Sequence, residues 1–188
     1  MIIMKRFILL LTFGVFAISS QAQTVKLTPN NFVDSSDEKK NYVVIEAPGK
    51  NKEQLYTDIL SFVRKYYNNP KFVTTTTENQ QIVVDALANE AVRTTIVLAG
   101  SNLWDLEYKV DMQFKDGRIR LEPIYKFLNN GEGTSISLIG KKVLGSATGI
   151  FNDKGKVLKD KPPVQIENFM NDYIQKIKIA ATKPAENW

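Results

Sequence analysis

Between Leu106 and Leu121 the chain alternates strictly. Leu106, Tyr108, Val110, Met112 and Phe114 are separated by Glu107, Lys109, Asp111, Gln113 and Lys115. A period of two marks a strand with one buried face. Asp116-Gly117 follows, a strong type I′ turn signal, and Ile119 and Leu121 then alternate with Arg118, Arg120 and Glu122. A two-residue turn puts Lys115 opposite Arg118, Phe114 opposite Ile119, Met112 opposite Leu121 and Tyr108 opposite Tyr125. Apolar then meets apolar along one face of both strands, so the register is self-consistent, with one face core and the other wet.

The remaining pattern is read around this hairpin. Tyr42 to Ala47 is a short β-branched run, broken by Pro48-Gly49. A helix follows, with Asn51 and Gln54 in capping-box spacing. Leu55, Ile59, Phe62, Val63 and Tyr66 make its apolar face, and Asn68-Asn69-Pro70 stops it. Lys71–Thr77, Ile82–Ala88 and Val92–Leu98 read as three further strands, with a turn at Glu78-Asn79-Gln80 and a break at Gly100-Ser101-Asn102. Six glycines between 129 and 161 argue against a long helix there, and Asn152-Asp153-Lys154-Gly155 looks like a second hairpin turn. Pro162-Pro163 suits the first turn of a last helix, whose stripe is Ile166, Phe169, Met170, Tyr173, Ile174 and Ile177.

Two helices with one apolar stripe each cover one face of a sheet and leave the other open. The expected fold class is α+β, a two-layer antiparallel sheet with helices on one face. Residues 23–41, a largely polar stretch with Thr28-Pro29-Asn30-Asn31 and Ser35-Ser36-Asp37-Glu38, are expected to be a flexible N-terminal arm. Residues 42–183 form a single domain with a core at 42–128, a variable glycine-rich segment at 129–161 and a C-terminal helix at 162–183. The tail after Pro184 is expected to fray.

The first 22 residues read differently. Lys5 and Arg6 precede an apolar run from Phe7 to Ile18, and the small residues Ser20 and Ala22 stand before Gln23. These are the three parts of a cleavable signal peptide, and the run is shorter than the roughly 20 apolar residues of a spanning helix. The expected location is the periplasm or the extracellular space, without a span through the membrane after cleavage. Losing Lys5 and Arg6 lowers the net charge from +5 to +3, too weak and too dispersed to call for nucleic acid or an anionic membrane.

Two absences narrow the chemistry. With no Cys there is neither a disulfide nor a lipobox cysteine, so a lipoprotein is excluded. With no His as well, Ser-His-Asp and Cys-His nucleophile systems and Cys/His zinc sites are excluded.

The stretch Val43-Val44-Ile45-Glu46-Ala47-Pro48-Gly49-Lys50-Asn51-Lys52-Glu53-Gln54-Leu55-Tyr56, with the later Lys115-Asp116-Gly117-Arg118 turn, resembles a family of exported bacterial proteins of unknown function. The resemblance covers about residues 42–128. It implies a TATA-binding-protein-like fold and carries over no catalytic residue.

Candidate ligand-binding residues lie on the wet face of the hairpin. Asp111 falls directly opposite Glu122, and carboxylates at that distance can share a proton or hold a cation. Arg120 is diagonal to Asp111 and Lys109 to Glu122, which makes an ordinary charged sheet face the blander and preferred reading. The Gly140-Lys141 stretch fails the phosphate-loop pattern, having Ser135 and Lys142 where glycine and a hydroxyl are needed. Trp104 keeps the even spacing of the core, and Trp188 ends a polar tail. The functional expectation is a non-catalytic binding module of the cell envelope, with another envelope protein or a small ligand as partner and no nucleic acid. It would use its open sheet face or its glycine-rich segment, with no catalytic residue, metal or cofactor. The alternatives are a hydrolase or cation-dependent enzyme built on Asp111 and Glu122, and a structural or assembly protein.

Overall fold

The structure, a computed structural model, describes residues 23–96, 100–144 and 146–184. The leader at 1–22, its cleavage point, residues 97–98 of the expected third strand, Trp188 and the tail beyond Pro184 lie outside the described residues. In chain order the elements are β1 (Val25–Thr28), β2 (Asn31–Asp34), β3 (Val43–Glu46), α1 (Lys52–Tyr66), α2 (Pro70–Val73), β4 (Thr74–Thr77), β5 (Gln81–Ile96), β6 (Gly100–Lys115), β7 (Arg118–Asn129), β8 (Ser135–Ile139), β9 (Lys142–Val143), β10 (Ser146–Ala147), β11 (Gly149–Phe151) and α3 (Lys161–Thr182).

The main sheet runs β11-β8-β7-β6-β5-β4, and β3 pairs with the other end of β7. All pairings in it are antiparallel except β8 with β11. The fold class is therefore α+β and predominantly antiparallel. The β6–β7 hairpin has the expected register, with Met112 against Leu121, Phe114 against Ile119 and Tyr108 against Tyr125. Gly117 takes φ +74°, which the tight turn demands. Inward residues Ile82, Val84, Leu106, Val110, Met112, Ile119 and Leu121 are wholly buried. A side chain of that size contributes about 1.5–3 kcal/mol on burial.

Both helices lie over this face. In α1, Asn51 Oδ1 accepts the Gln54 N–H at 2.8 Å while Gln54 Oε1 accepts the Asn51 N–H at 3.0 Å, a reciprocal cap. Leu55, Ile59 and Val63 are buried; Tyr66, expected on the same face, is 37% exposed. From α3, Ile166, Met170, Tyr173, Ile174 and Ile177 enter the core. The Tyr67 hydroxyl, just past α1, lies 2.8 Å from that of Tyr108 on β6 and donates to that of Tyr173 on α3 at 2.9 Å. Burial pushes the Tyr108 phenol up to about 12 and those of Tyr67 and Tyr173 higher.

Several expectations are corrected. Residues 25–34 are no loose arm but the hairpin β1–β2, with Val25, Leu27, Phe32 and Val33 buried. Side-chain amides fasten it in place of a sheet. Asn171 on α3 accepts the Val25 N–H at 2.8 Å and donates to the Val25 carbonyl at 3.0 Å. Asn31 does the same for Tyr125, accepting at 2.8 Å and donating at 3.0 Å. Four apolar residues in a polar run are a weak periodic signal, which is why the segment reads as unstructured. Pro70–Val73 is a helical turn rather than strand, because Pro70 fits a first helical turn. The two strands read over 82–98 are one, β5, interrupted by a bulge between Ala88 and Val92. Gly100-Ser101-Asn102 belongs to β6 rather than to a break, since its partners Ile96, Thr95 and Thr94 continue the ladder.

The glycine-rich segment folds as short strands. β8 and β11 are parallel although only residues 140–148 separate them, fewer than a parallel crossover usually takes. Gly140 and Gly149 make this possible. A Cβ on Gly140 would sit 2.4 Å from the Gly149 nitrogen, and one on Gly149 would sit 2.2 Å from that of Gly140. The backbones cross where no side chain fits.

Candidate functional site

The outward residues of β5, β6 and β7 alternate with the core residues, so strand periodicity alone places them on one face. Across that face run Val83, Asp85 and Leu87 from β5, Glu107, Lys109 and Asp111 from β6, and Arg120, Glu122 and Ile124 from β7. They are half-buried or exposed, in contrast to their inward neighbours. Lys126 continues the even alternation of β7 on the same side, at the register shift opposite Glu107 and Tyr108. Its ammonium meets Asp85 at 2.8 Å and Glu107 at 3.8 Å. The Asp85 hydrogen bond raises the Lys126 pKa, against a smaller opposing effect of burial.

The four sequence candidates all come to this face, and Asp111 stands opposite Glu122. Their counter-groups differ from those the diagonals suggest. Asp111 accepts from Gln81 Nε2 at both oxygens, 2.9 and 2.7 Å. Arg120 turns to Glu122 on its own strand at 3.1 Å and lies over the Tyr42 ring at 4.2 Å. Asn41 Nδ2 donates to the other Glu122 oxygen. Lys109 sits in the ladder between Asp85 and Ile124, and among the described residues it makes no ion pair with Glu122. Gln81, Asn41 and Tyr42 come from neighbouring strands and the loop before β3. Nothing within the hairpin sequence announces them, because they depend on which strands flank it.

One end of the face is concave. Tyr42, Val44, Gln113, Lys115, Arg118 and Arg120 line a cavity of about 280 Å³. The glycine-rich segment has a larger one of about 710 Å³, lined in part by Lys141, Lys142, Asn152, Asp153 and Lys156. Among the described residues no three acidic side chains gather as a metal site. No helix of the described residues is long and apolar enough to cross a membrane. Trp104 is buried, its indole N–H donating to Thr94 Oγ1 at 2.9 Å.

Residues 42–123 match the family described as a domain of unknown function (DUF4468) with TBP-like fold. The resemblance read over about residues 42–128 is to this family and this fold. Among solved structures, the chain is similar to a TBP-like protein from Parabacteroides distasonis, with 15% identity, a TM-score of 0.51, and coverage of 74% of this chain and 90% of that one. It is also similar to a DUF4468 family protein from Bacteroides ovatus, with 12% identity, a TM-score of 0.49, and coverage of 78% and 87%. No curated protein matches.

Proposed function

We propose that this chain, whose residues 42–123 form a DUF4468 domain of TBP-like fold, is a non-catalytic binding module of the bacterial envelope that works through its open sheet face. The observation that carries the reading is the asymmetry of the sheet. Helices and the N-terminal hairpin pack on one side, while the other keeps a broad surface of ion pairs and apolar residues, Val83 and Ile124 half-buried and Leu87 46% exposed. Each carboxylate of the Asp111–Glu122 pair is held by amides or a guanidinium. That supports a recognition surface rather than an acid–base pair. Four acids, Asp85, Glu107, Asp111 and Glu122, lie among the bases of the face, which disfavours a nucleic-acid partner. The leader at 1–22 supports export, with a mature N-terminus at Gln23.

The test is photo-crosslinking in whole cells from two positions, Lys109 on the open face and Ile179 on the outer side of α3, which is 58% exposed. The expected result is a discrete product from Lys109 and none from Ile179, on protein recovered from the envelope with an intact mass starting at Gln23. The same product from both sites, or none from Lys109, sinks the reading.

A further inference from the structure

On the open face two cations have counter-ions, while Lys109, midway along β6, makes no ion pair among the described residues, and two further unpaired cations meet at one corner. Lys126 has Asp85 and Glu107, and Arg120 has Glu122. At the β6–β7 turn, Lys115 and Arg118 are direct cross-strand partners. Like charges so placed repel and destabilise a sheet. Neither makes an ion pair among the described residues. The nearest acids by position are otherwise placed. Asp116 in the turn spends Oδ1 on the Lys52 N–H at 2.9 Å, and exposed Glu46, which faces Arg118 across β3 and β7, makes no ion pair with it.

This corner is also the concave end of the face. The two unpaired cations share the 280 Å³ cavity with Arg120, Gln113 and Tyr42. Arg120 adds a guanidinium whose charge is matched by Glu122 but whose side chain stays 40% exposed. Gln113, opposite Arg120, adds an amide. Lys115 and Arg118 are the two cations of the cavity that no carboxylate meets at ion-pair distance among the described residues. Arginine suits the flat, multiple acceptors of an oxyanion, and lysine adds a point charge.

We propose that the cavity bounded by Lys115, Arg118, Arg120, Gln113 and Tyr42 binds a phosphate monoester dianion. Its two charges and three terminal oxygens can meet both unpaired cations and the Arg120 guanidinium at once, whereas a carboxylate offers one charge and two oxygens. The group comes either from a soluble phosphate ester or from a phosphomonoester lipid headgroup. The proposal rests on the open face being the binding face, and it names the chemistry recognised at one end of it.

The experiment follows backbone resonances and thermal unfolding of the chain from Gln23 onward, titrated with glycerol 3-phosphate, with acetate as monoanion control. Sedimentation with phosphatidylcholine vesicles, with and without phosphatidic acid, runs alongside. Glycerol 3-phosphate is expected to shift Gln113 to Arg120 and to raise the melting temperature. The variant K115Q/R118Q is expected to bind at least tenfold more weakly while melting no lower than wild type without ligand, since the repelling pair is gone. Binding to the soluble ester identifies a small-molecule source, and binding only to phosphatidic acid vesicles identifies a headgroup. Equal response to acetate, shifts centred on Lys141, Lys142 and Lys156, unchanged binding by the variant, or no binding in either arm overturns the proposal. Lys109 stands six residues along β6 from Lys115, about 20 Å away, so crosslinking from Lys109 succeeds or fails independently of these outcomes.

Discussion

The two faces of β5, β6 and β7 are built from alternate residues of the same strands, yet they satisfy their polar groups in opposite ways. On the inner face the polar side-chain atoms are neutral and each has a neutral partner: Tyr67 bridges Tyr108 and Tyr173, Tyr125 donates to the Ile136 carbonyl and Trp104 to Thr94. On the outer face they are charges at the edge of solvent, some closed on amides and counter-ions and others, such as Lys115 and Arg118, left to water. Charge is cheap only where water can still reach it, and a dry site tolerates polarity only when each hydrogen-bonding group has a partner. A step of one residue along a strand therefore exchanges one chemistry for the other.

The sharpest break of this comparison is at neighbouring positions. Met112→Ala should cost about 2–5 kcal/mol, the usual range for emptying a buried site, whereas Gln113→Ala should stay within about 0.5 kcal/mol. Chemical denaturation of both variants measures it, and equal losses would mean that the two faces are not distinct.

A smaller effect is expected at the phenol bridge. Tyr67→Phe leaves the Tyr108 and Tyr173 hydroxyls without their shared partner and should cost about 1–3 kcal/mol. The same bridge predicts alkaline sensitivity. Burial holds the Tyr108 phenol neutral up to about 12, above its ordinary value of 10. The unfolded chain therefore ionises first. The stabilisation is fully present below pH 10 and is lost as pH rises toward 12. Denaturation midpoints across pH 8 to 12 test this, and a flat profile would contradict it.

The smallest effect belongs to the outer pair. Replacing Asp111 by Asn and Glu122 by Gln together should change stability by less than about 1 kcal/mol, because solvent and neighbouring groups already screen the two charges. Calcium or magnesium should leave the melting temperature of either form unmoved. A clear gain on substitution, or a cation-dependent shift that the double variant lacks, would move this pair into the enzymatic reading.

How much of this was legible in the sequence depended on how local the determinants are. The β6–β7 register was readable because a two-residue turn and strict alternation fix it from within. The α1 cap was readable because Asn51 and Gln54 are three residues apart. The partners of the candidate site were not: Gln81 reaches Asp111, and Asn41 reaches Glu122, only through strand neighbours far away in sequence. The crossing at Gly140 and Gly149 was equally hidden, since six glycines forbid a helix without saying which two must touch. The anchoring of β1–β2 was misread because side-chain amides, rather than a long apolar run, hold it.

That last arrangement sets an order of events. The backbone of β1, beyond its pairing with β2, is met by side chains of α3: Val25 by Asn171 across 146 residues of chain, and the Leu27 N–H by Glu167 across 140. Contacts between such distant segments form late, after the loops between them have closed. A chain that emerges N-terminus first carries β1 with those backbone groups unmatched until α3 follows. Whatever folds earlier, the seam between β1 and α3 closes only once α3 is in place.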